Sequence, residues 1–159
     1  MTVPGRRDRV PITGEEELAE CLSVKVLHGW MQNRQQTLLP LTVNFKTQGE
    51  LASRSLAEWM AVACLAVQGD SLRARSWLGT AGASPQILAV FDAATVHTPP
   101  IHAALSAVAH HGVPAHAYIA ALIAGNSRDP VVTPFLDYVA ASLTLPTTVV
   151  RSAVRRYRW

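Results

Sequence analysis

LAEWMAVACLAV, residues 56–67, carries a single charge, Glu58, in twelve positions. A helix that is apolar on every side has no face to turn to water, so other helices have to enclose it. Four alanines together with Leu, Met and Glu favour helix over the rival reading, a buried strand. Ser53 or Ser55 is placed to cap its start, and Gly69 is placed to stop it. Glu58 then falls in the first turn, where the helix dipole favours an acid. The stretch reads as the central helix of one all-α core.

Working toward the N-terminus, TLLPLTVNFKTQGE is the only segment with β character. Pro40 forbids a regular helix there, and Thr42-Val43-Asn44-Phe45 alternates. It has no second strand to pair with, so it reads as an extended connector laid across the bundle. Before it, Thr13 with Glu16 or Glu17 marks a helix start. Leu18, Cys21, Leu22, Val24, Val26, Leu27, Trp30 and Met31 follow at helical spacing, predicting a helix to about residue 36. Residues 1–13, with Pro4, Gly5 and Pro11 among charges, read as a flexible arm.

Toward the C-terminus, Gly69-Asp70-Ser71 makes a turn before a helix over 71–78. Ser84-Pro85 starts the next, over 85–94. Further helices run from Ile101 to about His111, from Pro114 to Gly125, over 134–143, and from Pro146 onward. The expected fold is an all-α compact bundle of seven to eight helices. In it 14–159 form one helical domain, 14–50 being the N-terminal helix and connector and 51–159 the bundle proper. Residues 57–90 and 116–150 also echo each other. Each has an Ala-rich helix, a turn with one aspartate (Asp70, Asp129), a shorter helix, and a break at Pro85 or Pro146.

At 159 residues, 49% apolar and 16% charged, the chain can bury a real core, which excludes global disorder. No apolar run reaches the length of a membrane span. The N-terminal basic residues have no apolar segment behind them, so no secretory signal is read. Two isolated cysteines, Cys21 and Cys64, point to a reducing cytoplasm rather than a disulfide scaffold. The net charge of +3 gathers at the ends, Arg6, Arg7 and Arg9 at one and Arg151, Arg155, Arg156 and Arg158 at the other.

Histidine supplies the only cluster that suggests metal or catalysis: His97, His102, His110, His111 and His116. Zinc needs three or four converging ligands, and neither an H-E-x-x-H nor a cysteine pair accompanies them. GTAGAS lacks the Gly-Lys-Ser/Thr of a phosphate loop. Glu15, Glu16, Glu17 and Glu20 share one helix start and read as caps. Binding is the expected class. Trp30 and Arg34 lie on an amphipathic helix end before the apolar TLLPL. Arg151, Arg155 and Arg158 share one face of the last helix at spacings of four and three. With few aromatic residues interleaved, sequence-specific nucleic-acid reading is not expected. An acidic protein surface or a peripheral membrane contact is, and a homodimer remains open.

YIAALIAGNSRDPVVTPFLDYVAASLTLPTTVV, and before it WMAVACLAVQGDSLRARSWLG, resemble TerB-like proteins, the tellurite-resistance-associated helical family, over about residues 55–155. The resemblance implies the family's helical fold. It also implies a cation site built on the two acidic turns, but the residues depart from that pattern. Gly69-Asp70 stands in place of Asp-Gly, no acid follows it, and Val132 replaces a glutamate. A hard cation wants several converging carboxylates, so Asp70 and Asp129 are weak candidates, as are His102 and His110. No cofactor is implied. The leading expectation is a non-enzymatic cytoplasmic adaptor or scaffold, linked by resemblance to tellurite or envelope stress. The alternative is a metal- or small-ligand-binding module using His102, His110, His111 and His116. A third is an enzyme whose site the sequence does not display.

Overall fold

The computed structural model describes residues 19, 22–24, 42–125 and 129–157. The chain divides into two units, Met1–Leu38 and Leu39–Trp159. In the first, residues 19 and 22–24 are helical, inside the helix predicted for that region. The arm at 1–13, Trp30, Arg34 and Arg158 lie outside the described residues.

Among its described residues the second unit is all helix and connection, with no strand. Its helices are α1 (Glu50–Ala66), α2 (Ser71–Thr80), α3 (Pro85–Val96), α4 (Ile101–His110), α5 (Pro114–Ala124), α6 (Val132–Ser142) and α7 (Thr147–Tyr157). None of them is long and apolar enough to cross a membrane. α1 is the hub, packing on α2, α3, α4 and α5. Leu56, Ala57 and the run from Trp59 to Cys64 are all buried, as an all-apolar helix requires. The enclosure opens at the last turn, where Leu65 is 44% exposed.

Two local expectations need correcting. α1 starts at Glu50, with Gly49 as its N-cap and no side-chain cap. The good helix formers in ELASRS let it propagate backward, so Ser53 and Ser55 are buried inside the helix instead of capping it. The Ser55 hydroxyl turns back on its own helix and donates to the Leu51 carbonyl at 3.0 Å. Glu58 consequently lies more than two turns in, half-buried, beyond the reach of the N-terminal dipole.

The stop is also more elaborate than one glycine. Gln68 takes the left-handed conformation (φ 51°), and the Gly69 N–H donates to the Cys64 carbonyl at 2.7 Å. Gly69 is needed for closeness, because a Cβ there would run into the Ala124 carbonyl oxygen of α5.

α5 is the second buried helix, with every residue from Ala117 to Ala124 buried. The indole N–H of Trp59 donates to the Ala117 carbonyl at 2.7 Å, tying α1 to the α5 backbone. The same ring stacks on Phe135 of α6, centroids 6.2 Å apart. α7 buries Val149 and Ala153, and Val150, Val154 and Tyr157 pack partly on the core. That orients its arginines outward. α6 begins at Val132, two residues ahead of expectation, because Pro134 is tolerated in a first helical turn.

Residues 42–49 form no helix or strand and lie against the bundle, but they are not extended throughout as expected, because the chain turns at 45–48 behind Asn44, whose carbonyl accepts from the Thr47 N–H. Val43 and Phe45 are buried in its core. The segment therefore belongs with the bundle, which is why the unit boundary falls at Leu39.

Candidate functional site

The connector builds a cleft where it meets the turn between α2 and α3. The Phe45 N–H donates to the Ala81 carbonyl at 2.9 Å, anchoring the chain on that turn. Asn44 then folds the backbone around itself. Its Oδ1 accepts from the Lys46 N–H at 3.0 Å, and its carbonyl accepts from the Thr47 N–H at 3.2 Å. Opposite, Gly82 sits at φ +89°, and a Cβ there would lie 3.0 Å from Cγ of Lys46. A side chain at 82 is thus opposed both by the backbone and by the lysine stem.

The cleft between these strips has a volume of about 680 Å³. Phe45 and Ile87 give it an apolar wall. Lys46, Gln48, Glu50, Ser53, Ser84 and Gln86 supply polar groups. Two helix N-termini open onto it, that of α1 behind Gly49 and that of α3 behind Ser84. The Ser84 hydroxyl accepts from the Ile87 N–H, whereas α1 has no side-chain cap. Oε1 of Gln48 is buried without a hydrogen-bond partner. A buried polar atom left unpaired carries a desolvation cost, so this one calls for an explanation.

The residues singled out from sequence are placed elsewhere. Oδ1 of Asp70 accepts from the Leu72 and Arg73 N–H groups at 3.0 and 3.1 Å, making it the N-cap of α2. Asp129 likewise accepts from the Val131 N–H at 2.9 Å ahead of α6. Both acidic turns are occupied with backbone donors. Arg73 donates to the Ile123 and Gly125 carbonyls at 3.0 and 3.1 Å, so it caps the C-terminus of α5, where the dipole is negative.

His102 and His110 stand at opposite ends of α4, about 12 Å apart along its axis at 1.5 Å per residue. One ion does not bridge them. His111 Nδ1 lies 2.8 Å from the Ser55 hydroxyl, and its ring meets that of His110 edge-on. Since that hydroxyl donates to Leu51, the contact is served by a protonated Nδ1. His116 lies half-buried on α5 and has an interaction of its own. Among the described residues no three His, Cys, Asp or Glu side chains gather as a metal set.

Arg151 and Arg155 are exposed on α7, as their spacing predicts. Arg156 is separately engaged, donating to the Thr42 hydroxyl at 3.0 Å. Cys64 is buried, and burial pushes its thiol up, with Asp70 adding to the effect and Arg73 opposing it. That is the reverse of what an activated nucleophile needs.

No family model, curated protein or solved structure matches the chain. The TerB-like resemblance therefore rests on the residue pattern alone. Sequence reasoning missed the cleft, because KTQGE between a connector and a helix offers no pattern beyond mixed polarity. It also missed the bidentate pair of Arg75 with Asp92, 2.7 and 2.9 Å, which joins α2 to α3 across seventeen residues of sequence.

Proposed function

We propose that this chain is a non-enzymatic helical adaptor of the TerB-like kind. In this reading it works in the cytoplasm and docks an acidic protein surface through the outer face of α7. One observation carries the reading: Val149 and Ala153 bury the inner face of α7 while Arg151 and Arg155, four residues apart, stand exposed on the outer one. Guanidinium groups suit bidentate contact with carboxylates. Further support comes from the roles of other charged groups. Asp70, Asp129, Arg73 and the Arg75–Asp92 pair serve helix ends and helix–helix ties, where they are not available as acid, base or metal ligand. By the same resemblance, the setting is a tellurite- or envelope-stress system.

The test is affinity capture with the whole chain against the variant Arg151→Gln/Arg155→Gln/Arg158→Gln, with circular dichroism as the check on folding. The expected result is loss of an acidic partner from the folded variant, and weakening of the native complex with salt, since exposed charges are screened beyond about 8 Å at physiological ionic strength. The same partners retained by the variant at low salt overturn the reading. Binding to anionic vesicles in place of any protein also overturns it, in favour of a lipid surface.

A further inference from the structure

We infer that the hydrogen bond from Arg156 to Thr42 is an autoinhibitory latch on the α7 docking face, an inference that rests on the reading of that face as a site for an acidic protein. The bond joins side chains 114 residues apart, one near the end of α7 and one at the start of the connector. Among the described residues Arg156 forms no ion pair. Its guanidinium donates to the Thr42 hydroxyl at 3.0 Å and lies over the Tyr157 ring, 5.8 Å from the centroid. Both partners are neutral.

A carboxylate accepts from a guanidinium roughly twice as strongly as a hydroxyl does, so an acidic partner outcompetes Thr42 for this side chain. Arg156 follows Arg155 by one residue, about 100° round the helix, and its long stem reaches either flank. Held by Thr42, it is turned to the connector. Released, it joins Arg151 and Arg155, both exposed, against the same acidic surface.

Breaking one net hydrogen bond before this third arginine engages lowers the apparent affinity by roughly two- to tenfold. By linkage, the docked partner weakens the hold on Thr42 by the same factor. Release stops there, because Val43 and Phe45 are buried and the Phe45 N–H is bound to the Ala81 carbonyl. Docking on α7 is thereby communicated to the start of the connector and no further.

The experiment is titration of a fluorescein-labelled oligoglutamate peptide with the full chain at low salt, read by anisotropy. Thr42→Val removes the acceptor and keeps the shape, and is expected to tighten binding about two- to tenfold. Thr42→Ala, the second variant, carries the same expectation. Thr42→Ser keeps the hydroxyl and is expected to bind as the native chain does. In an Arg156→Gln background, where no latch exists, Thr42→Val is expected to change nothing. In the isotope-labelled native chain, the Thr42 and Val43 amide resonances should shift as the peptide saturates, while those of Ala81 and Gly82 stay in place.

Unchanged or weaker binding by Thr42→Val and Thr42→Ala, each with native-like circular dichroism, overturns the latch. Equal tightening in the Arg156→Gln background also overturns it, since Thr42 then acts by another route. Loss of binding in Arg151→Gln/Arg155→Gln together with an inert Thr42→Val overturns the latch and leaves the docking reading standing. Failure of the native chain and of Thr42→Val alike to bind the peptide overturns both.

Discussion

Trp59→Phe tests the junction on which the bundle is built. The indole is fully buried, donates to the Ala117 carbonyl at 2.7 Å and stacks on Phe135, so it joins α1, α5 and α6. A phenyl ring keeps the stacking and loses the rest. Losing a net hydrogen bond costs about 1 kcal/mol, since the Ala117 carbonyl keeps its own helical partner. Removing roughly 30 Å² of buried ring costs somewhat under 1 kcal/mol at about 25 cal/mol per Å². The void left behind, on the order of 40 Å³, costs about 1 kcal/mol more at roughly 24 cal/mol per Å³.

The sum is about 2–3 kcal/mol, equivalent to a Tm drop of roughly 5–10 °C in a chain of this size. Urea unfolding followed by far-ultraviolet circular dichroism should show a lowered midpoint with an unchanged slope. A loss below about 1 kcal/mol would refute the reasoning. It would mean that the bond to α5 contributes nothing net and that the site relaxes around the smaller ring.

Three other outcomes are expected. Thr144 is β-branched and held at φ 49°, so Thr144→Gly should stabilise the protein by about 0.5–1 kcal/mol, the relief of strain exceeding glycine's greater unfolded-state entropy; a lower Tm would contradict this. The hydrogen bond from Arg75 holds Asp92 below the ordinary aspartate range, so its stabilisation is present above about pH 4 and is lost as pH falls through the lowered value. Asp92→Asn should therefore unfold earlier than the native protein at neutral pH and match it at the acid limit, and a gap that persists in acid would rule out the charge as its source. In a Cys21→Ser background, Cys64 should resist a thiol reagent until urea unfolds the protein, because it is buried with its thiol pushed up; rapid labelling of the folded chain would refute that placement.

The fold was legible because its signals are local and redundant. A twelve-residue stretch with one charge has few solutions besides a buried helix, and Ser84-Pro85, Pro114 and Gly112 mark boundaries by backbone chemistry alone. The exact start of α1 was not legible. Ser53 and Ser55 carry cap chemistry, but helix propensity in residues 50–55 and burial against neighbouring helices outweigh it. The arginine face of α7 could be read from spacing, since side-chain direction on a helix follows from it. The cleft could not. Gln48 and Ser53 gain meaning only because residues 45–50 are brought against 82–87, a pairing between segments more than thirty residues apart. Arg73 shows the same limit: in sequence it is one basic residue beside an acidic turn, in space the cap of a helix fifty residues away.

The internal echo shows how architecture survives where chemistry does not. α1 packs on α2 and α3, α5 packs on α6 and α7, and α1 and α5 pack on each other. In both halves an aspartate, Asp70 or Asp129, receives backbone N–H groups before the second helix. That second helix closes with the same bond, Ala83 N–H to the Leu78 carbonyl in one half and Leu145 N–H to the Ala140 carbonyl in the other, each 3.0 Å. The residue in the left-handed position is Gly82 in the first half and Thr144 in the second. Pro85 and Pro146 follow. α4 is the element without a counterpart, and it packs against both central helices. The shared features are therefore caps and breaks, which fix where chains turn, and they leave side chains between them free to differ. At Gly82 that freedom matters, because the missing side chain leaves room for the Lys46 stem and hence for the cleft. Thr144 carries a side chain at the corresponding turn, so the second half repeats the turn of the first with different chemistry at the same position.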